Sequence, residues 1–279
     1  CFQRCCLYFD WEAWTEFGRG FAEIDGVESI NMSTTEAVKL IRGQKGTDVT
    51  LTLLREGRQG PVEVTITRDT IQVPTIETQL LDDGTFVIAL YSFSARSPEL
   101  FRDALREFAD TGSDKLILDL RGNPGGYLQA AVSNASWFLS GDQLVVREDR
   151  GEGEEGKSYY SNGYDVFSDD LRLVVLIDGG SASASEILAA ALGDNNRAVL
   201  VGQNSFGKGS VQEVINLTDD TSLKVTIARW LTPSGDHISE EGIEPDVVVD
   251  ELSEDSDEDF ILDRAIEVIN EQDFFNRLR

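Results

Sequence analysis

The stretch "LRLVVLIDGGSASASEILAAALGDN", residues 171–195, decides the fold class. Its first seven residues are almost continuously apolar, the pattern of a strand buried on both faces of a sheet. Gly179 and Gly180 break the run, and "SASASEILAAALGDN" follows as a helix, with serines at its start, Glu186 in its first turn and Gly193 near its end. A buried strand turning straight into a helix is the repeating unit of an α/β domain. Serines at such a corner lie beside unpaired helix N–H groups, which suit a developing oxyanion. They also suit ordinary helix capping, and the local pattern leaves both readings open.

The same alternation extends outward. Upstream, "GTFVIALYSFS" (84–94) reads as a strand, "SPELFRDALREFADTG" (97–112) as a capped helix and "KLILDL" (115–120) as a buried strand. "YLQAAVSNASWFLS" (127–140) is helical and "LVVREDR" (144–150) a strand. Downstream, "RAVLVGQ", "SVQEVINL" and "SLKVTIARWLT" are further strands. The polar, Gly-containing "EDRGEGEEGKSYYSNGYDVFSDD" (148–170) reads as a long surface connection. The expectation for 71–250 is one α/β domain with a largely buried sheet.

A smaller module precedes it. "GFAEIDGVESI" offers two short strands about a turn at Asp25-Gly26, and "STTEAVKLIRG" a short amphipathic helix with Ser33 or Thr34 as N-cap. "TDVTLTLLREG" and "PVEVTITRDTI" alternate as a hairpin. At the other end, "DELSEDSDEDF" reads as an acidic linker into an amphipathic helix, "ILDRAIEVINEQ", so that 251–279 is set apart.

Composition narrows the function. The 279 residues carry 24 Lys plus Arg against 51 Asp plus Glu, a net charge of −27, which repels nucleic acid and anionic membrane surfaces. No run reaches the roughly 20 apolar residues of a membrane helix. The three cysteines, Cys1, Cys5 and Cys6, support neither a disulfide framework nor a thiol enzyme, and with one histidine there is no ligand set at metal spacing. The opening "CFQRCCLYFDWEAWTEF" (1–17) reads as atypical or foreign, on an N-terminus expected to be truncated.

If one of the three clustered serines is a nucleophile, its proton needs an acceptor. The sole histidine, His237, stands in the loop-like "TPSGDHISEEG". Lys208 stands in "SFGKGS" between Gly207 and Gly209, where a tight turn can bring its side chain inward. A lysine buried there has its pKa depressed by desolvation and can act as a base near neutral pH. Serine–lysine pairing is a known variant of triad chemistry and the better reading of these residues.

Together, "LRLVVLIDGGSASASEILAAALGDNNRAVLVGQNSFGKGSVQ" (171–212) and "LILDLRGNPGGYL" (116–128) resemble the core of the carboxy-terminal processing proteases, tail-specific serine endopeptidases. The resemblance covers about residues 18–250. It implies a ClpP/crotonase-like α/β catalytic domain with Ser183 as nucleophile, Lys208 as base and Gln212 orienting the lysine. It also implies an oxyanion hole from the Ala184 amide and either Gly125 or Gly126, with no metal or organic cofactor. "VESINMSTTEAVKLIRGQKGTDVTLTLLREG" resembles that family's PDZ domain, and because "CFQRCCLYFDWEAWTEFGRG" stands where its first strand and carboxylate loop belong, 18–70 reads as an incomplete PDZ-like domain. Protein or peptide substrates held by their C-terminal tails, and a periplasmic or cell-envelope location, follow from the same resemblance. The rival reading is a non-catalytic binding or scaffold protein on the same fold.

Overall fold

Ser33 takes the N-cap, with Glu36 closing a capping box: the Ser33 amide donates to the Glu36 carboxylate at 2.9 Å and the Glu36 amide to Ser33 Oγ at 3.4 Å. The helix this opens, α1 (Thr34–Ile41), belongs to the first of two compact units, Cys1–Gln72 and Val73–Arg279. The computed structural model describes residues 20–30, 32–54, 60–69, 74–151, 154–218, 221–239, 241–249 and 259–278. The N-terminal segment with its cysteines, the tip of the first hairpin and the acidic stretch 251–258 lie outside the described residues.

In the first unit, β1 (Gly20–Ile24), β2 (Val27–Glu28), β3 (Asp48–Leu54) and β4 (Val62–Thr67) form an antiparallel sheet in the order β2-β1-β3-β4. Its core is small: Ile24, Val49 and Leu51 from the strands meet Ala37 of α1, with Leu40 and Ile41 against them. Arg68 completes the helix. Its guanidinium donates to the carbonyls of Leu40 and Ile41, which the helix leaves unpaired at its C-terminus.

In the second unit the apolar strands assemble as expected. β5 (Ile76–Leu80), β6 (Phe86–Leu90), β7 (Lys115–Asp119), β10 (Arg172–Ile177), β11 (Val199–Gly202) and β14 (Val247–Val248) form one sheet in the order β14-β11-β10-β7-β6-β5. It is parallel throughout except at β5, which pairs antiparallel with β6. Successive residues of β10 serve opposite faces. Leu173, Val175 and Ile177 face a core shared with α2 (Ser97–Thr111), α3 (Leu128–Ala135) and α4 (Ala184–Asp194), whereas Val174 and Leu176 face α5 (Phe260–Asn270). Covering both faces explains why this strand reads as an unbroken apolar run.

The remaining strands differ from the expectation of one sheet. β8 (Leu144–Asp149), β9 (Ser158–Tyr160), β12 (Ser210–Thr218) and β13 (Thr221–Leu231) form a second, antiparallel sheet in the order β12-β13-β8-β9. β9 lies inside the stretch read as a surface connection, a correction with a clear cause. Tyr159 packs edge-on against Trp230 at 5.9 Å and its hydroxyl donates to the buried Glu148 at 2.8 Å, contacts that local polarity hides. α3 also ends five residues sooner than the expected helix, because Trp137–Ser140 leave the helical path after Ser136.

Candidate active site

Ser183 stands where β10 has ended and α4 begins, at φ 56° and ψ −110°. A non-glycine residue there holds strain of about 1–3 kcal/mol, which surrounding contacts must sustain. Its side chain is half-buried, whereas Ser181 and Ser185 on either side are fully buried. Those two hydroxyls are spent on the neighbouring turn: Ser181 Oγ donates to the Leu120 carbonyl and Ser185 Oγ to the Asn123 carbonyl, both at 2.9 Å. The serines therefore divide into two that fasten the corner and one that is presented.

The turn they fasten, Arg121–Tyr127, leaves the end of β7. The Asn123 carbonyl also accepts the Ala182 amide, while Asn123 Nδ2 donates to the Leu90 carbonyl at 2.6 Å. Asp178 Oδ1 accepts the Gly122 and Gly180 amides at 2.8 and 2.9 Å. Gly125 lies against the presented serine so closely that a Cβ on it would stand 2.9 Å from Ser183 Cβ and 2.8 Å from the Ala184 nitrogen. Its own amide donates to Asn123 Oδ1 at 2.9 Å. Gly126 bridges to Phe93, and no hydrogen bond engages its amide among the described residues. Ala184 is the first residue of α4, where helix amides lack an intrahelical acceptor.

Lys208 reaches this corner by its backbone. Glu186, fully buried in the first turn of α4, accepts the Ser183 amide at 2.6 Å and the Lys208 amide at 3.0 Å through Oε2. Its Oε1 accepts the Gly207 amide and Ser205 Oγ, both at 2.6 Å. Ser205 Oγ in turn accepts the Ile243 amide at 2.7 Å, so the segment before β14 closes over the lysine loop. Burial pushes the Glu186 carboxyl above its usual range, against the lowering effect of these donors. Glu186 was legible in sequence only as a first-turn acid; its partners in the lysine loop lie 19 to 22 positions away.

The expectation of a buried Lys208 is corrected: the residue is exposed, and Glu186 holds its loop through the backbone amides of Gly207 and Lys208, not through the side chain. Among the described residues no hydrogen bond joins Lys208 Nζ to Ser183 Oγ or to Gln212. Gln212 is exposed in β12, opposite Thr226 beside a bulge. His237 lies across from Leu231 of β13, with Nε2 3.7 Å from an Asp149 carboxylate oxygen.

Comparison with known proteins places the chain in a family. The family profile of peptidase family S41 matches residues 84–249. A carboxyl-terminal-processing protease of Synechocystis sp. is 42% identical over 232 residues, covering 82% of this chain and 53% of that protein. The carboxy-terminal processing protease CtpA of Bacillus subtilis is 36% identical, covering 81% and 47%. The chain thus spans about half the length of these curated relatives. Among solved structures, a photosystem II D1 C-terminal processing protease superposes with a TM-score of 0.68 at 27% identity, covering 94% of this chain and 69% of that one.

Proposed function

The chain belongs to peptidase family S41, and from that premise we propose that it is a serine endopeptidase that cleaves protein substrates near their C-termini with Ser183 and Lys208. The observation that carries this reading is the shared Glu186 carboxylate. One oxygen holds the backbones of Ser183 and Lys208 together while Ser183 is kept in a strained, presented conformation.

Ser183 Oγ attacks the scissile carbonyl and the neutral Lys208 amine takes its proton. Lys208 is exposed on its loop, where a bound substrate strand would bring its amine and the Ser183 hydroxyl into hydrogen-bond contact. Such hydrogen bonds often tighten only once substrate is bound. The negative oxygen of the tetrahedral intermediate is taken by the amides of Ala184 and Gly126. Gly126 is preferred to Gly125 because the Gly125 amide is already engaged by Asn123. Gly125 contributes closeness: without a side chain it leaves the nucleophile room. Protonated Lys208 then donates to the leaving amine, and water repeats the cycle on the acyl-enzyme. Gln212 orients Lys208 once β12 is covered by substrate.

We assign the first unit as a PDZ-like module that receives the C-terminal tail, supported by α1 packed beside an antiparallel sheet. An extracytoplasmic location is proposed on the family resemblance; no helix among the described residues is long and apolar enough to cross a membrane. The test is digestion of casein by the intact chain and by Ser183→Ala. Cleavage by the wild type alone supports the endopeptidase. Equal behaviour of the two removes it and leaves the binding-protein reading.

A further inference from the structure

Arg121 opens the turn that carries Gly125 and Gly126, and its guanidinium grips two carboxylates. Nε and Nη2 donate to Asp119 Oδ1 and Oδ2 at 2.9 and 2.7 Å, and Nη1 and Nη2 donate to Asp259 Oδ1 and Oδ2 at 2.6 and 2.9 Å. Asp119 is the last residue of β7, so that half of the grip is local. Asp259 lies 138 positions away and is the N-cap of α5, its Oδ1 also accepting the Leu262 amide at 3.1 Å. The side chains of Arg121 and Asp119 are only 11% and 9% exposed, whereas that of Asp259 is 41% exposed, so Asp259 closes the solvent side of an otherwise buried pair.

We propose that Asp259 is a positioning residue for the oxyanion turn: the start of α5 holds Arg121, and through it the register of Gly125 and Gly126 against Ser183. This rests on the endopeptidase reading above and names a residue in the C-terminal helix as part of what makes that site competent. The other supports of the turn come from the sheet and from the nucleophile corner itself. Leu90, Asp178, Ser181 and Ser185 hold residues 120–123. Phe93, just past β6, holds the far end of the turn, its amide donating to the Gly125 carbonyl and its carbonyl accepting the Tyr127 amide. The arginine fork adds a tie from a distant element: Asp119 grips one edge of the guanidinium and Asp259 the other, and loss of the Asp259 charge weakens the tie between the head of the turn and the start of α5. Displacing the turn by a fraction of an ångström weakens an oxyanion donor, which acts in the transition state, and leaves binding of the substrate chain nearly untouched.

Steady-state cleavage of a peptide substrate by the intact chain distinguishes this from simple stability. Asp259→Asn keeps a good N-cap and removes the charge. Ile269→Val loosens the buried packing of α5 without touching Arg121. The expected result is a drop in kcat of about 3- to 10-fold for Asp259→Asn with KM within about twofold, and an unchanged kcat for Ile269→Val at equal or greater loss of Tm. A wild-type kcat in Asp259→Asn overturns the inference, as does an equal kcat loss in both variants. If the wild type itself cleaves nothing, it is the endopeptidase reading that fails, and Asp259 is not at issue.

Discussion

Glu186 binds Ser183 through the backbone, the amide donating to Oε2 at 2.6 Å, and the same oxygen accepts the amide of Lys208. The proposed nucleophile and base are thus tied together by a buried acid. In Glu186→Gln one acceptor oxygen becomes an N–H donor, so whichever way the amide turns, at least one backbone amide loses its partner: that of Gly207, or those of Ser183 and Lys208. Each such loss costs about 1–3 kcal/mol. Cleavage is expected to fall at least about tenfold, with a lower urea midpoint.

The raised carboxyl of Glu186 gives this a pH signature. Its folded value lies above its unfolded one because burial disfavours the charge. Between the two values the folded chain binds more protons, so the contribution is full below the ordinary carboxylate range and is lost as pH rises through the raised value. Urea midpoints of wild type and Glu186→Gln, measured from about pH 4 to 7, are expected to draw closer as pH rises. A gap that widens with pH contradicts the assignment.

Ser183 sits at φ 56°, a conformation that glycine adopts without penalty. Ser183→Gly is therefore expected to abolish cleavage while raising stability, or at least offsetting the flexibility that glycine adds to the unfolded chain. Ser183→Ala keeps the strain and is expected to leave Tm near wild type. Comparing the two midpoints by calorimetry isolates the strain at the nucleophile.

Gly125 and Gly122 separate crowding from conformational freedom. Both have positive φ, but a Cβ on Gly125 meets the Ala182 carbonyl oxygen at 2.5 Å and the Ala184 nitrogen at 2.8 Å, whereas one on Gly122 meets nothing within 4 Å. Gly125→Ala is expected to cost about 100-fold or more in kcat, the scale of a lost oxyanion donor. Gly122→Ala carries only the backbone penalty of about 1–2 kcal/mol in stability. Similar kcat losses in the two would contradict the placement of Gly125 against the nucleophile.

Much of this site was legible because it is local. The apolar run of β10, the Gly-Gly break and the helix start place a serine at a strand–helix corner, and the glycines about Lys208 announce a tight loop. The family spacing picks Ser183 from its neighbours, and the structure gives the hydroxyls of Ser181 and Ser185 backbone partners of their own. What was hidden depends on distance along the chain. Glu186 looks like a capping acid until the lysine loop folds back onto it, and Arg121 looks like a surface charge until Asp259 arrives. The exposure of Lys208 was hidden for the same reason, since flanking glycines permit a turn without saying which side chain it turns inward. β9 escaped because its packing rests on Trp230 and Glu148 of other strands.

The most direct test of the Ser183–Lys208 pair is the rate of labelling by a fluorophosphonate, with the modified residue mapped by mass spectrometry. Lys208→Arg keeps the positive charge but cannot give up its proton. The expected result is a label on Ser183 in the wild type, none in Ser183→Ala, and labelling slowed by about a thousandfold in Lys208→Arg. Labelling of Ser183→Ala at the wild-type rate, or of Lys208→Arg at that rate, would contradict the account.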